Sequence, residues 1–69
     1  MDFEITVPIK NVSKYNSQIE ALILIGNTLG RYSLEYGRDF QFKTCNTWDI
    51  VLNFTKDQTQ LLQHLKWID

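Results

Sequence analysis

Apolar and polar residues alternate along three short stretches of the chain, a pattern typical of β-strands with one buried face. The first stretch places its apolar side chains at Phe3, Ile5, Val7 and Ile9, alternating with Asp2, Glu4 and Thr6. Pro8 has no backbone N–H to donate to a neighbouring strand. The first strand is therefore expected to end at Pro8 or to lie at a sheet edge.

The other two stretches lie in the second half of the chain and predict a hairpin. Their alternating apolar positions are Phe40, Phe42 and Thr44, then Trp48, Ile50, Leu52 and Phe54. A three-residue loop, Cys45-Asn46-Thr47, keeps these positions on one face, because directly opposed residues share a face. The resulting register predicts the pairs Thr44 with Trp48, Phe42 with Ile50 and Phe40 with Leu52, and it brings Lys43 opposite Asp49.

Between the first two strands, apolar residues recur every three or four positions and predict an amphipathic helix. The stripe consists of Tyr15, Ile19, Leu22, Ile25, Leu29, Tyr32 and Tyr36. Ser13 is the predicted N-cap and Gly37 the predicted residue just after the C-terminus. Gly26 and Gly30 disfavour a helix by about 1 kcal/mol each relative to alanine, so a bend or a stop after Ile25 is the alternative. If the helix continues, these glycines suggest close backbone approach, either to the chain's own sheet or to another chain.

A second helix is predicted near the C-terminus. Thr55 followed by Gln58 matches a capping box, and Asp57 suits the first helical turn. The apolar stripe of this helix consists of Leu61, Leu62, Leu65 and Ile68.

The order β-α-β-β-α predicts an α+β fold in which one domain spans residues 1–69. We expect a two-layer sandwich, with a three-stranded, mainly antiparallel sheet and both helices on one face. The topology resembles a ferredoxin-like fold that lacks its last strand. The first and third strands should pair, which leaves the other edge of the first strand open to dimerisation or to an added strand.

Composition narrows the classes of function. The chain has seven basic and eight acidic residues with no run of like charge, which disfavours sequence-independent nucleic-acid binding. The alternative is a nucleic-acid-associated factor that uses a local patch such as Lys10, Lys14, Arg31 and Arg38. The longest apolar run, from Ala21 to Ile25, is far shorter than the ~20 residues of a membrane-spanning helix. The acidic start of the chain does not match a secretory signal, so we expect a cytoplasmic protein.

Candidate catalytic chemistry is sparse. Cys45 is the single cysteine and His64 the single histidine. The positions three and four residues from His64 offer no carboxylate to orient it, and Cys45 has no adjacent cation or helix N-terminus to activate its thiol. We therefore expect a non-enzymatic protein with no catalytic residue, cofactor or metal.

Several residues that do not fit the core stripes suggest an interface. Leu24 lies on the polar side of the first helix and Trp67 lies off the stripe of the second, although single exposed apolar residues are also common without any function. Together with Arg31, Leu34 and Arg38 they are the interface candidates, because Trp, Tyr and Arg often anchor protein contacts. The sequence thus favours a small interaction or regulatory protein that binds another protein as a homodimer. An inhibitor or accessory subunit of phage or plasmid origin would suit it. Leu24→Glu or Trp67→Ala is expected to weaken association more than folding.

Overall fold

The computed structural model describes residues 3–46 and 48–69 and shows three antiparallel strands with two helices. The strands are β1 (Phe3–Pro8), β2 (Phe40–Cys45) and β3 (Asp49–Phe54), and the helices are α1 (Gln18–Arg31) and α2 (Thr59–His64). A 3₁₀ turn, Ile9–Asn11, follows β1 directly. The predicted α+β class and the order β-α-β-β-α are confirmed.

The sheet has the order β1-β3-β2, as the ferredoxin-like topology without its last strand predicts. β1 pairs with β3 from Phe3 opposite Phe54 to Pro8 opposite Asp49. This register puts Phe3, Ile5 and Val7 on the same face as the buried side chains of β3. Asp2, part of the predicted alternation, lies outside the described residues.

The predicted register of the hairpin is wrong by two residues. Phe40 pairs with Phe54 and Phe42 with Leu52, and a bulge between Phe42 and Thr44 then shifts the pairing so that Cys45 lies opposite Ile50. The bulge adds one residue to β2, so Cys45 belongs to the strand and not to the loop. Thr47, in the predicted loop, lies outside the described residues.

The side chain of Asn46 accounts for the altered loop. Its Oδ1 accepts hydrogen bonds from the backbone N–H groups of Trp48 and Asp49, both at 2.8 Å. Such an Asx turn competes with strand pairing at its own position. Trp48 therefore leaves the strand, and its side chain is 70% exposed instead of lying under the helices.

The predicted contact between Lys43 and Asp49 is replaced by a different ion pair. The Nζ of Lys43 lies 2.8 Å from Oε2 of Glu4, with both side chains about half exposed. The change follows from the register, because Asp49 now pairs with Pro8 at the far end of β3. The charged pair lies on the exposed side of the sheet, where such contacts contribute about 0 to 1 kcal/mol.

Helix α1 begins four residues later than predicted. Ser17 is the N-cap, and its Oγ accepts a hydrogen bond from the N–H of Glu20 at 3.3 Å. Ser13 is instead fully buried, and its Oγ accepts from the N–H groups of Tyr15 and Ser17. Asn16 has a left-handed backbone with φ of 53°, which prevents a helix from running through this segment.

Helix α1 also ends earlier than predicted, at Arg31, although it runs through both glycines without stopping after Ile25. The N–H of Ser33 donates to the Gly30 carbonyl at 3.1 Å, and that of Leu34 to the Leu29 carbonyl at 3.0 Å. With Ser33 at φ of 64°, these bonds form a Schellman motif. Gly37, the predicted terminating residue, has φ of 89° but lies in the turn that leads into β2.

The predicted start of α2 is wrong, because the helix begins at Thr59 and not after Thr55. Asp57 replaces the capping box, since its Oδ1 accepts hydrogen bonds from both the N–H and the hydroxyl of Thr59. Thr55 instead donates its N–H to the Asp39 carbonyl at 3.0 Å. At the other end of α2, Lys66 has φ of 63° and donates to the Gln63 carbonyl, while Trp67 donates to the Leu62 carbonyl. Both helices therefore end in a Schellman motif without glycine.

The core lies between the helices and one face of the sheet. Its buried apolar residues come from both layers: Val7, Ile9, Ala21, Ile25, Leu29, Phe40, Ile50, Leu52, Phe54, Leu62 and Trp67. Four aromatic rings, those of Tyr36, Phe40, Phe42 and Phe54, form a chain of contacts at its β2 side. Because α1 and α2 both contribute residues to this core, both helices cover the same face of the sheet.

Candidate interaction surfaces

Trp67, one of the five predicted interface residues, is part of the core. Only 6% of it is exposed, and its carbonyl accepts a hydrogen bond from Nδ2 of Asn11 at 2.7 Å. It follows the left-handed residue of the Schellman motif, the position whose side chain packs back on the last turn of a helix. The exposure predicted for Trp67 from its angle around the helix is wrong, because α2 ends at His64, three residues before Trp67.

Leu34 occupies the equivalent position after α1, and for the same reason it is half-buried against the core. Leu24 has 37% of its surface exposed, which makes it the least exposed of the large apolar residues at the surface. Neither residue presents a prominent apolar surface to a partner.

Arg38 is engaged by its own loop. Its Nη2 lies 2.9 Å from Oδ2 of Asp39, and its Nη1 lies 3.2 Å from Oε2 of Glu35. The Asp39 carboxylate also accepts a hydrogen bond from the N–H of Glu35, which together with Arg38 lowers the pKa of Asp39 below its usual value. This network fixes the turn between α1 and β2.

The basic residues considered for nucleic-acid binding do not form one patch. Lys14 precedes α1 and Arg31 is its last residue. A helix of 14 residues is about 20 Å long at 1.5 Å per residue, so its two ends are well separated. Arg38, as described, is paired with carboxylates.

An open cleft of about 400 Å³ lies where β1 ends and β3 begins. Pro8, Ile9 and the exposed Trp48 give it an apolar wall, and Lys10, Asn16 and Asp49 give it a polar rim. The hydrophobic periodicity does not reveal this site, because it predicts a buried strand position for Trp48. Asn46, two residues before Trp48, was the signal for a turn that would have placed the indole outside.

The backbone of Trp48 is held on both sides. Its N–H donates to Oδ1 of Asn46 at 2.8 Å, and its carbonyl accepts the N–H of Ile9 at 2.9 Å. The exposed indole therefore projects from a fixed backbone. An anchor of this kind loses little conformational entropy when it is buried by a partner.

A second exposed apolar surface lies on α1. Ile19 is 72% exposed and Ile23 is 57% exposed. At about 100° per residue they share a 60° arc of the helix with Gly26 and Gly30. Among the described residues, a Cβ atom added at either glycine would meet nothing within 4 Å. The glycines therefore do not serve close packing against the chain's own sheet, one of the two interpretations that the sequence left open.

The outer edge of β1 is free within residues 3–46 and 48–69, where β1 pairs only with β3. The N–H of Ile9 points towards β3, since it donates to the Trp48 carbonyl, and backbone groups alternate in direction along a strand. Glu4, Thr6 and Pro8 therefore direct their backbone groups outwards. Pro8 offers no N–H and Glu4 is charged, which are both features that discourage edge pairing.

A smaller cleft of about 220 Å³ lies between Arg38, Gln41 and Asn53. The Oδ1 of Asn53 is buried there without a hydrogen-bond partner in the described part of the chain. Asn53 lies in the central strand opposite Glu4 and Gln41, neither of which provides the missing donor.

His64 is the exposed last residue of α2, and Cys45 is the last residue of β2. Across the described residues, no group of three or more His, Cys, Asp or Glu side chains could hold a metal ion. Within the same part of the chain, every helix is too short or too polar to cross a membrane.

Comparison with known proteins gave no significant match to a family model, to a curated protein or to a solved structure.

Proposed function

We propose that this chain acts by binding another protein and not by catalysis, with the cleft beside Trp48 as the binding site. The observation that carries this proposal is the indole of Trp48, 70% exposed on a backbone fixed at both its N–H and its carbonyl. Tryptophan is the residue type most enriched among interface residues that dominate binding energy. An exposed indole on a fixed backbone gains free energy when a partner buries it and loses little backbone entropy in doing so.

The chemistry of the cleft indicates the kind of segment it would accept. Pro8 and Ile9 line it beside the indole, so an apolar side chain fits its floor. Lys10 and Asp49 lie at its rim with opposite charges. A partner segment with one apolar anchor and flanking polar groups of both signs matches this arrangement.

The proposal extends to a regulatory role in the cytoplasm, as an inhibitor or accessory subunit, and to self-association as a homodimer. A single small domain with a rigid surface anchor is well suited to occupying a site on a larger protein. The two exposed isoleucines on α1 lie on a surface different from the cleft, so binding a partner and self-association do not compete for the same residues.

The test uses Trp48→Ala with Tyr32→Ala as its matched control. Tyr32 is an exposed aromatic residue at the opposite end of α1. Proteins captured from the source cell by the wild type are identified, and the affinity of each purified partner is measured by calorimetry. We expect at least a tenfold loss of affinity for Trp48→Ala and unchanged affinity for Tyr32→Ala, with melting curves that show both variants to be folded at the temperature of the measurement.

Two results would overturn the proposal. One is a partner that binds Trp48→Ala as tightly as the wild type. The other is an equal loss of affinity in both variants, which would move binding away from the cleft.

A further inference from the structure

We propose that two copies of this chain pair through antiparallel α1 helices, with Ile19 and Ile23 of each copy filling the hollows at Gly30 and Gly26 of the other. This inference rests on the proposed self-association and identifies the surface that performs it. It starts from a face of α1 that combines two exposed branched side chains with two positions that have no side chain at all.

The spacing of these residues is self-complementary. In an antiparallel pair of helices, opposed residues have numbers with a constant sum. Ile19 with Gly30 and Ile23 with Gly26 give the same sum, 49, as Gln18 with Arg31, the two ends of α1. Full overlap of the two helices therefore puts each isoleucine against a glycine of the other copy. Each contact occurs twice across the two-fold axis.

The glycines have the property that this packing requires. Glycine is the least favourable residue in a helix interior except proline. Within residues 3–46 and 48–69, neither Gly26 nor Gly30 is needed to avoid a clash. Small residues at a helix surface let two helices approach to the short end of the usual 8–10 Å range. A second helix is thus an occupant that gives both glycines a packing role.

Charge supports a second copy of α1 as the occupant. Glu20 and Arg31 lie on the same flank of the proposed contact face, on opposite ends of the helix. Antiparallel pairing brings Glu20 of one copy within about one helical turn of Arg31 of the other, because their numbers sum to 51. A parallel arrangement would leave Glu20 of one copy about 16 Å along the helix from Arg31 of the other, so these opposite charges would not meet.

The interface is one helix long, which places it among the smaller protein contacts. We therefore expect a weak, concentration-dependent dimer with micromolar affinity. The Trp48 cleft is not part of this face.

The first experiment compares the wild type with Gly26→Gln, Gly30→Gln and Leu24→Gln by sedimentation equilibrium, with a thermal melt of each variant. We expect both glycine variants to weaken the dimer at least tenfold while the monomer melts at the same or a higher temperature, because glutamine favours a helix and has open space around it. Leu24→Gln is the control, because Leu24 lies about 130° around the helix from the centre of the contact face and takes no part in the isoleucine–glycine contacts; it should keep the wild-type dimer. Loss of the dimer in Leu24→Gln alone would overturn the proposal.

The second experiment tests the orientation of the helices by exchanging charges. Glu20→Arg should weaken the dimer by placing two arginines together, and Glu20→Arg with Arg31→Glu should restore it. If the double variant is no better than the single one, the antiparallel register is wrong. If the wild type stays monomeric at millimolar concentration, self-association itself fails. A dimer that persists in both glycine variants would rule out this face of α1 as the interface and leave self-association through another surface.

Discussion

Replacing Trp67 with alanine separates the two roles that this residue has been given, interface anchor and core residue. The structure predicts a folding defect. Only 6% of Trp67 is exposed, and its backbone N–H donates to the Leu62 carbonyl. Its backbone carbonyl accepts a hydrogen bond from Nδ2 of Asn11, which joins the C-terminal segment to the turn after β1.

The size of the effect follows from burial. A tryptophan buries about 150–250 Å², and at about 25 cal/mol per Å² this corresponds to roughly 4–6 kcal/mol as an upper estimate. Substitutions of buried tryptophan by alanine typically cost about 3–5 kcal/mol. A domain of 69 residues has a total stability of about 3–10 kcal/mol. Trp67→Ala should therefore remove at least about a third of the free energy of unfolding, and all of it if the total lies near the lower end of this range.

The assay is urea denaturation followed by far-UV circular dichroism, which does not depend on tryptophan fluorescence. Trp48→Ala is the matched control, since it removes the same side chain from a site that is 70% exposed and should cost only about 1 kcal/mol. Trp67→Phe provides a variant that stays folded if the alanine variant does not. It should lower the urea midpoint by an intermediate amount.

The reasoning is refuted if Trp67→Ala and Trp48→Ala have the same urea midpoint, or if Trp48→Ala is the less stable of the two. A wild-type midpoint for Trp67→Ala with weakened association would restore the interface role expected from the sequence.

Three further predictions concern single positions. Ser33→Gly and Lys66→Gly should each raise the free energy of unfolding by about 0.5–1 kcal/mol in urea denaturation, because both residues have a left-handed backbone that glycine adopts without strain; a loss of stability in both would contradict this account of the helix ends. Asn53→Val should raise the free energy of unfolding in urea denaturation by about 1 kcal/mol, since it removes from a central strand a buried acceptor that has no partner among the described residues; an unchanged or lower value would show that Oδ1 is satisfied. Asp39→Asn should melt at a lower temperature than the wild type at neutral pH. Because the pKa of Asp39 is lowered in the folded protein, its carboxylate contributes fully to stability above about pH 4, and this contribution is lost as the pH falls through the folded-state pKa. Melting curves across pH should show the two proteins converging in acid, and a gap that widens in acid would reverse the assigned sign.

The α+β class and the order of the elements along the chain could be predicted from the sequence because they depend on hydrophobic periodicity, which several residues of each element share. The strand order within the sheet followed from the ferredoxin-like topology that this order of elements resembles. The alternation of Ile50, Leu52 and Phe54 is enough to mark a strand, and the spacing of Ala21, Ile25 and Leu29 is enough to mark a helix. These patterns average over several residues, so a wrong assignment at one position does not change them.

The boundaries depend instead on single hydrogen bonds, which periodicity does not report. Ser13 and Ser17 are both acceptable N-caps in sequence, and Thr55 and Asp57 both precede α2. The left-handed backbone of Asn16 excludes Ser13 as the N-cap of α1. Two hydrogen bonds from Thr59 to Asp57 determine where α2 begins. The same holds for the helix ends: Ser33 terminates α1 although Gly26 and Gly30 lie within that helix and Gly37 follows it, and Lys66 terminates α2 where the sequence has no glycine at all.

These errors in the helix and strand boundaries changed which residues were predicted to be exposed, and so which surface was predicted to bind a partner. A helix drawn past its true end made Trp67 an exposed residue, and a strand drawn past its true start made Trp48 a buried one. Each tryptophan therefore exchanged roles with the other between the sequence analysis and the structure. The surface could not be predicted until the Asx turn at Asn46 and the Schellman motif at Lys66 were known.

The two proposed surfaces are compatible in space and together determine the shape of an assembly. Asn16 lines the Trp48 cleft and lies two residues before the start of α1, so the cleft belongs to the N-terminal end of that helix. Antiparallel pairing sends the two N-termini to opposite ends of a contact about 20 Å long. A dimer of this kind leaves both clefts accessible and directs them apart. It would bind two partner molecules per dimer, or two sites on one partner with a linker long enough to span that distance, in which case avidity would compensate for a weak dimer.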